Sequence, residues 1–168
     1  MESKAKILGH PIHQMLIPFP FGLLATAVIF DIIYLVWGNP QMAMAAYWMI
    51  AAGVVGGFAA APFGFIDWFA IPQGTRAKSV GLLHGVGNVF VLLLFIGSWW
   101  LRRGAAPGPA EYAPDTFALV LSFAGFALAG LTGWLGGELV DRLSVGVDDG
   151  AHLDAPSSLS GRPAGEKA

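Results

Sequence analysis

Three histidines and two carboxylates are the residues best placed to do chemistry in this chain: His10 and His13 in "GHPIHQMLIPFPFGLL", His84 in "SVGLLHGVGNVF", Asp67 in "FGFIDW" and Glu138 in "GWLGGELVDR". Imidazoles titrate near neutral pH and bind transition metals, and carboxylates bias such a set toward harder ions. The chain has no cysteine, which excludes disulfides, thiolate metal sites, iron–sulfur clusters and covalent c-type haem attachment within it. No serine stands with histidine and an acid in a recognisable nucleophile turn, so a conventional hydrolase is the poorest fit.

The elements that must position these residues are membrane helices. Of 168 residues, 55% are hydrophobic and only 12% charged, with a mean hydropathy of +0.64, values of an integral membrane protein rather than a soluble domain. A net charge of -2, without clustered Lys and Arg, argues against a nucleic-acid partner. Four apolar segments, approximately Pro20–Trp37, Ala43–Phe65, Ser79–Leu101 and Asp115–Gly136, have the length of about 20 residues that a helix needs to cross a bilayer core of about 30 Å. Short connections predict an all-α, up-down-up-down bundle of four transmembrane helices with both termini on the same side. The membrane domain is read as residues 1–147. The Gly/Pro/Ser-rich residues 148–168, which include the "DDGAHLD" cluster around His152, are read as a disordered polar tail.

Lys4 and Lys6 before the first apolar run resemble the start of a signal peptide, but the run is long and three further spans follow, so it is read as an uncleaved anchor. The side that holds the termini carries Lys4, Lys6, Arg76, Lys78 and Arg142, against Arg102 and Arg103 on the other. This bias predicts a multi-pass protein of the cell inner (cytoplasmic) membrane with both termini cytoplasmic.

The topology gathers His10, His13, Asp67, His84 and Glu138 at one end of the bundle as a candidate ring. Pro11, Pro18 and Pro20 break helix and predict an extended or one-turn segment from His10 to Ile17. Non-helical backbone at membrane depth needs protein or a watery cavity over it, so this segment is expected to fold over the bundle mouth and carry His10 and His13 inward. His84 lies about 9 Å inside its helix by helical rise, with Asn88 one turn further on the same face, and an ionisable group at that depth normally faces the bundle interior. Asp31, deep in the first span, must be protonated, paired or close to water, with Ser122 and Asn88 as candidate neighbours. The spacing of Gly53, Gly57 and Ala61, and of Gly125, Ala129 and Gly133, predicts close-packed helix seams.

The stretches "GHPIHQMLIPFPFGLL", "FGFIDW", "KSVGLLHGVGN" and "GWLGGELVDRLSVGV" together resemble a bacterial membrane family catalogued as domain of unknown function 2231, over about Gly9 to Val147. The resemblance implies a compact four-span protein without an assigned reaction. It also implies a redox context, since relatives are sometimes joined to Rieske or cytochrome domains. Many relatives place a histidine after the "GGEL" segment, where this chain has Leu143 and Ser144, which puts a further histidine ligand at that end in doubt.

Three readings of function follow. In the first, a b-type haem is held by His84 and His13, or His10, and passes electrons to a membrane or periplasmic redox partner. In the second, His10, His13, His84, Asp67 and Glu138 hold a divalent transition metal or relay protons without haem. In the third, the chain is a structural scaffold or partner subunit with no cofactor. Its small-residue seams make a homodimer a further expectation.

Overall fold

The computed structural model of the chain describes residues 1–104 and 111–167. The Pro/Ala-rich stretch 105–110 of the third connection lies outside the described residues. Four helices are long and apolar enough to cross a membrane: Ile12–Trp37, Pro40–Ala70, Arg76–Leu101 and Thr116–Arg142. Each runs beyond the apolar segment that marks it in the sequence, and the second and third begin early because Asn39 and Thr75 cap their first turns.

The first crossing is made of α1 (Ile12–Leu16) and α2 (Pro18–Trp37), joined at Ile17, whose amide still donates to His13 O at 3.1 Å. Pro18 and Pro20 lack amide donors, but they occupy the first turn of α2, where those donors have no helical partner anyway. The segment around His10 therefore combines a short extended stretch with a single turn of helix. A two-residue strand β1 (Lys6–Ile7) pairs antiparallel with β2 (His10–Pro11), and α1 follows at once. Gly38 closes α2 in the left-handed conformation at φ 67°, which glycine adopts without strain. Asn39, Thr75 and Asp115 each cap the N-terminus of the next helix by accepting a backbone amide hydrogen bond; these helices are α3 (Pro40–Ala70), α4 (Arg76–Leu101) and α5 (Thr116–Gly137). A single π-helical turn, Glu138–Arg142, extends α5.

Helix α2 packs on α3 and α5, and α4 packs on α3 and α5, so α2 and α4 face each other across the bundle diagonal. The core is small and tight. Ala27, Ala46, Ile50 and Phe95 are fully buried, and Gly53 and Gly125 let Leu24 and Phe95 approach their helices so closely that an added Cβ would sit 2.8 and 2.9 Å away. Lipid offers no hydrophobic drive for helix pairing, so contact of this closeness is what holds the spans together. The expected small-residue seams are therefore present in part: Gly53, Gly57 and Gly125 face neighbouring helices, whereas Ala61 and Gly133 point outward.

The ends of the domain are clasped. The Met1 ammonium donates to Ser144 O at 2.7 Å, Gly146 N donates to Met1 O at 2.9 Å, and the Lys6 ammonium joins Glu2 and Asp148. Lys6 holds the Glu2 carboxyl below its ordinary value of 4.5, and the hydrogen bond to Asp148 raises Lys6 above 10.5. A depressed acid stabilises the fold above its ordinary value, and that contribution fades as pH falls through the folded value. A raised amine stabilises below its ordinary value and loses that contribution only as pH climbs through the folded one. The clasp is accordingly expected to be constant between about pH 4.5 and 10.5 and to loosen in stronger acid. Limited proteolysis of the N-terminal segment on stepping from neutral to strongly acid pH would show it, and unchanged cleavage would contradict it.

Candidate functional site

Of the five residues read as a ring, two meet. His13 on α1 and His84 on α4 approach across the diagonal with ring centres 6.4 Å apart and planes at 85°. Each imidazole is held the same way. His13 Nδ1 lies 2.9 Å from Ala60 O on α3, and His84 Nδ1 lies 2.8 Å from Thr132 O on α5. A carbonyl only accepts, so Nδ1 carries a proton on both rings. Glycines make room for both rings, because a Cβ on Gly64 would stand 2.6 Å from His13 and one on Gly136 would stand 3.2 Å from His84.

The two Nε2 atoms differ in their surroundings. His84 Nε2 accepts from the Asn88 side-chain amide at 3.1 Å, and Asn88 Oδ1 in turn accepts from the Thr132 hydroxyl at 3.0 Å. Among the described residues nothing bonds to His13 Nε2.

The other three predicted members are engaged elsewhere, which corrects the five-residue ring. His10 points away from the bundle and reaches Ser158 Oγ at 3.3 Å; β2 turns it outward, because successive strand residues face opposite sides. Asp67 is buried and accepts from Ser3 Oγ at 2.8 and 2.9 Å and from Lys4 N at 2.7 Å, so it anchors the N-terminal segment. Glu138 pairs with Arg76 at 2.6 Å, a partner expected for a carboxylate near a helix C-terminus. No group of three or more His, Asp or Glu that would hold a metal ion occurs among the described residues.

A second buried polar cluster lies at the far end. Asp31 and Arg102 are both fully buried and form a bidentate pair with two bonds of 2.6 Å. Ser98 Oγ accepts from Arg102 Nε at 3.2 Å, and Ser122 Oγ donates to Asp31 at 3.1 Å. Ser122 is thus the expected neighbour of Asp31 and Asn88 is not. Arg102, which reads in sequence as a flanking surface charge, is inside the bundle. Beside it, Arg103 lies over the Trp99 and Trp100 rings at 4.2 and 4.5 Å.

Sequence reasoning pointed to His13, His84 and Asn88 but not to Ala60, Thr132, Gly64 or Gly136. The glycines stand in two of the motifs already quoted, "FGFIDW" and "GWLGGEL", and an unexplained glycine near a helix end was the available signal for a closely approaching ring.

These features define an integral membrane protein of four helices with a paired-imidazole site inside the bundle. The chain belongs to the family described as predicted membrane protein DUF2231, whose model matches residues 9–149. No curated protein and no solved structure matches it.

Proposed function

We propose that the protein holds one transition-metal centre between His13 and His84, that the metal is the iron of a b-type haem, and that its role is redox-linked. The observation that carries this reading is the pair of imidazoles from different helices, 6.4 Å between ring centres, each with Nδ1 spent on a carbonyl. Were a metal bound there, His13 Nε2 and His84 Nε2 are the atoms that would hold it, since both Nδ1 atoms are engaged. A hydrogen bond from Nδ1 to a carbonyl is also the usual outer support of a metal-bound histidine, fixing its tautomer and its orientation.

The donor count favours haem over a free ion. With Asp67 and Glu138 bound elsewhere, a zinc or manganese ion would find two protein ligands, too few for a closed site. Because haem iron brings four nitrogens of its own, the imidazoles of His13 and His84 would suffice to hold it, and the group would supply one-electron chemistry when bound. This chain would contribute the two ligands, their orientation through Ala60 and Thr132, and exclusion of water by the surrounding helices. The Asn88 amide has to leave His84 Nε2 for that nitrogen to bind a metal.

The same amide favours a second reading, a cofactor-free scaffold in which the His84–Asn88–Thr132 chain of hydrogen bonds pins α4 to α5. The orientation proposed from the charge bias, termini in the cytoplasm of the inner membrane, gains support from Arg102. Its charge is neutralised inside the bundle, which leaves Arg103 to carry the positive charge of the far side among the described residues. A redox partner at the membrane belongs to the same proposal.

The test is an absorption spectrum, oxidised and dithionite-reduced, of protein purified in mild detergent from haem-replete cells. A Soret band with sharp reduced α-bands is expected, lost in His13→Ala and in His84→Ala and retained in Asn88→Ala. A featureless spectrum from folded protein would overturn the haem reading, and metal analysis of the same sample would then separate a haem-free metal site from the scaffold.

A further inference from the structure

The two cross-bundle pairs share an arithmetic. Asp31 and Arg102 are 71 positions apart, and so are His13 and His84. Residues that meet in space at one common offset suggest that the first and third crossings are equivalent, and the burial pattern agrees. Along this offset, buried Pro20, Leu24, Ala27 and Asp31 fall on buried Val91, Phe95, Ser98 and Arg102, and exposed Phe19 falls on exposed Phe90. The second and fourth crossings match at one residue more, where Ala60 falls on Thr132 and Gly64 on Gly136.

Contacts repeat as well as burial. Gly53 packs on Leu24 and Leu23, and Gly125 packs on Phe95 and Leu94, which are the same positions under the two offsets. His13 bonds Ala60 O and His84 bonds Thr132 O. Each half therefore builds the same helix pair with the same internal contacts. Both halves begin at the same end of the bundle, so they are related by a two-fold axis along the bundle, as in parallel-repeat membrane proteins. In a two-fold arrangement, equivalent residues that touch each other lie on the axis. The histidine pair marks that axis near one end and the Asp31–Arg102 pair marks it near the other.

The far-end pair has a consequence for association. Were a half to dock on its own copy from a second chain, the axis would bring Asp31 against Asp31, or Arg102 against Arg102, with no counter-charge and no water. Only the union of unlike halves satisfies the site. We propose that the chain is two like two-helix units joined in tandem, whose facing surfaces are each built to receive such a unit, and that the Asp31–Arg102 pair is the lock that makes each half close on the other instead of on its own copy. Buried polar groups that set pairing at some cost in stability are known from coiled coils, and rejection of the wrong partner by unpaired charge is a general route to specificity.

Two full-length variants test this in detergent and in lipid nanodiscs, by melting temperature and by the dimer fraction relative to wild type. In Asp31→Arg/Arg102→Asp the charges exchange equivalent positions, and a folded protein with the wild-type oligomeric state is expected. In Asp31→Asn/Arg102→Gln the shape and polarity persist without charge, and a folded protein with a several-fold higher dimer fraction is expected. Should the exchanged variant fail to fold, Ala27→Ser, Ser98→Ala, Ile50→Ser and Ser122→Ile are added, so that the moved charges meet the polar neighbours they had before. Continued failure of that variant overturns the equivalence of the halves. A neutral variant that fails to fold, or that keeps the wild-type dimer fraction, overturns the lock. None of these readouts depends on a bound metal.

Discussion

Asp31→Ala is expected to cost about 3–5 kcal/mol, because it leaves the Arg102 guanidinium buried without its counter-charge. Both side chains are fully buried and joined by two bonds of 2.6 Å, so the charge left behind has no route to water without parting the helices. For a domain of this size the loss corresponds to a fall in melting temperature on the order of 10 °C. Arg102→Ala should cost a similar amount by orphaning the carboxylate. Removing both partners as Asp31→Leu/Arg102→Met should recover much of the loss, since replacing a buried ion pair with apolar groups is often close to neutral. Thermal unfolding of the three variants in one detergent checks this. A single variant that melts within about 2 °C of wild type would show that the pair is hydrated or loosely formed.

The second large effect belongs to Asp67. Its carboxylate takes the Ser3 hydroxyl and the Lys4 amide, and hydrogen bonds to a charged group contribute about 1.5–3 kcal/mol each. In Asp67→Ala the N-terminal segment is expected to lose about 2–4 kcal/mol of local stability, with protection of its amides against hydrogen exchange falling by roughly one to three orders of magnitude. The effect should reach the histidine pair, because Ile12 N donates to Ala5 O at 2.9 Å and so ties α1, with His13, to the anchored segment. Under the proposed haem reading, weaker retention of the group in Asp67→Ala is the corresponding functional readout. Exchange rates equal to wild type across residues 3–12 would remove Asp67 from the role of anchor.

Asp67 and Glu138 show why a cluster inferred from topology divides once side chains are placed. Both lie at the end of the bundle that the four spans predict. A helix end, however, carries unsatisfied backbone groups and flanking segments that compete for any nearby charge. Ser3 and Lys4 claimed one carboxylate and Arg76 the other. His10 was lost to the cluster for a different reason: in a strand, one residue of register decides the face.

The apolar spans, their number, their alternating direction and the depth of His84 follow from the sequence alone, because in lipid every backbone group must be satisfied within its own helix and span length is dictated by bilayer thickness. Which polar residues meet was decided only by the tertiary structure. Nothing in the neighbourhood of Arg102, at the edge of a span and beside Arg103, separates a surface cation from the buried partner of Asp31. Nothing local to Ala60 or Thr132 marks its carbonyl as the acceptor for a histidine on another helix. Helix rotation and approach distance settle such pairings, and both depend on small residues such as Gly53, Gly64, Gly125 and Gly136 acting together across four helices, a property of the packed bundle that no single stretch of sequence contains.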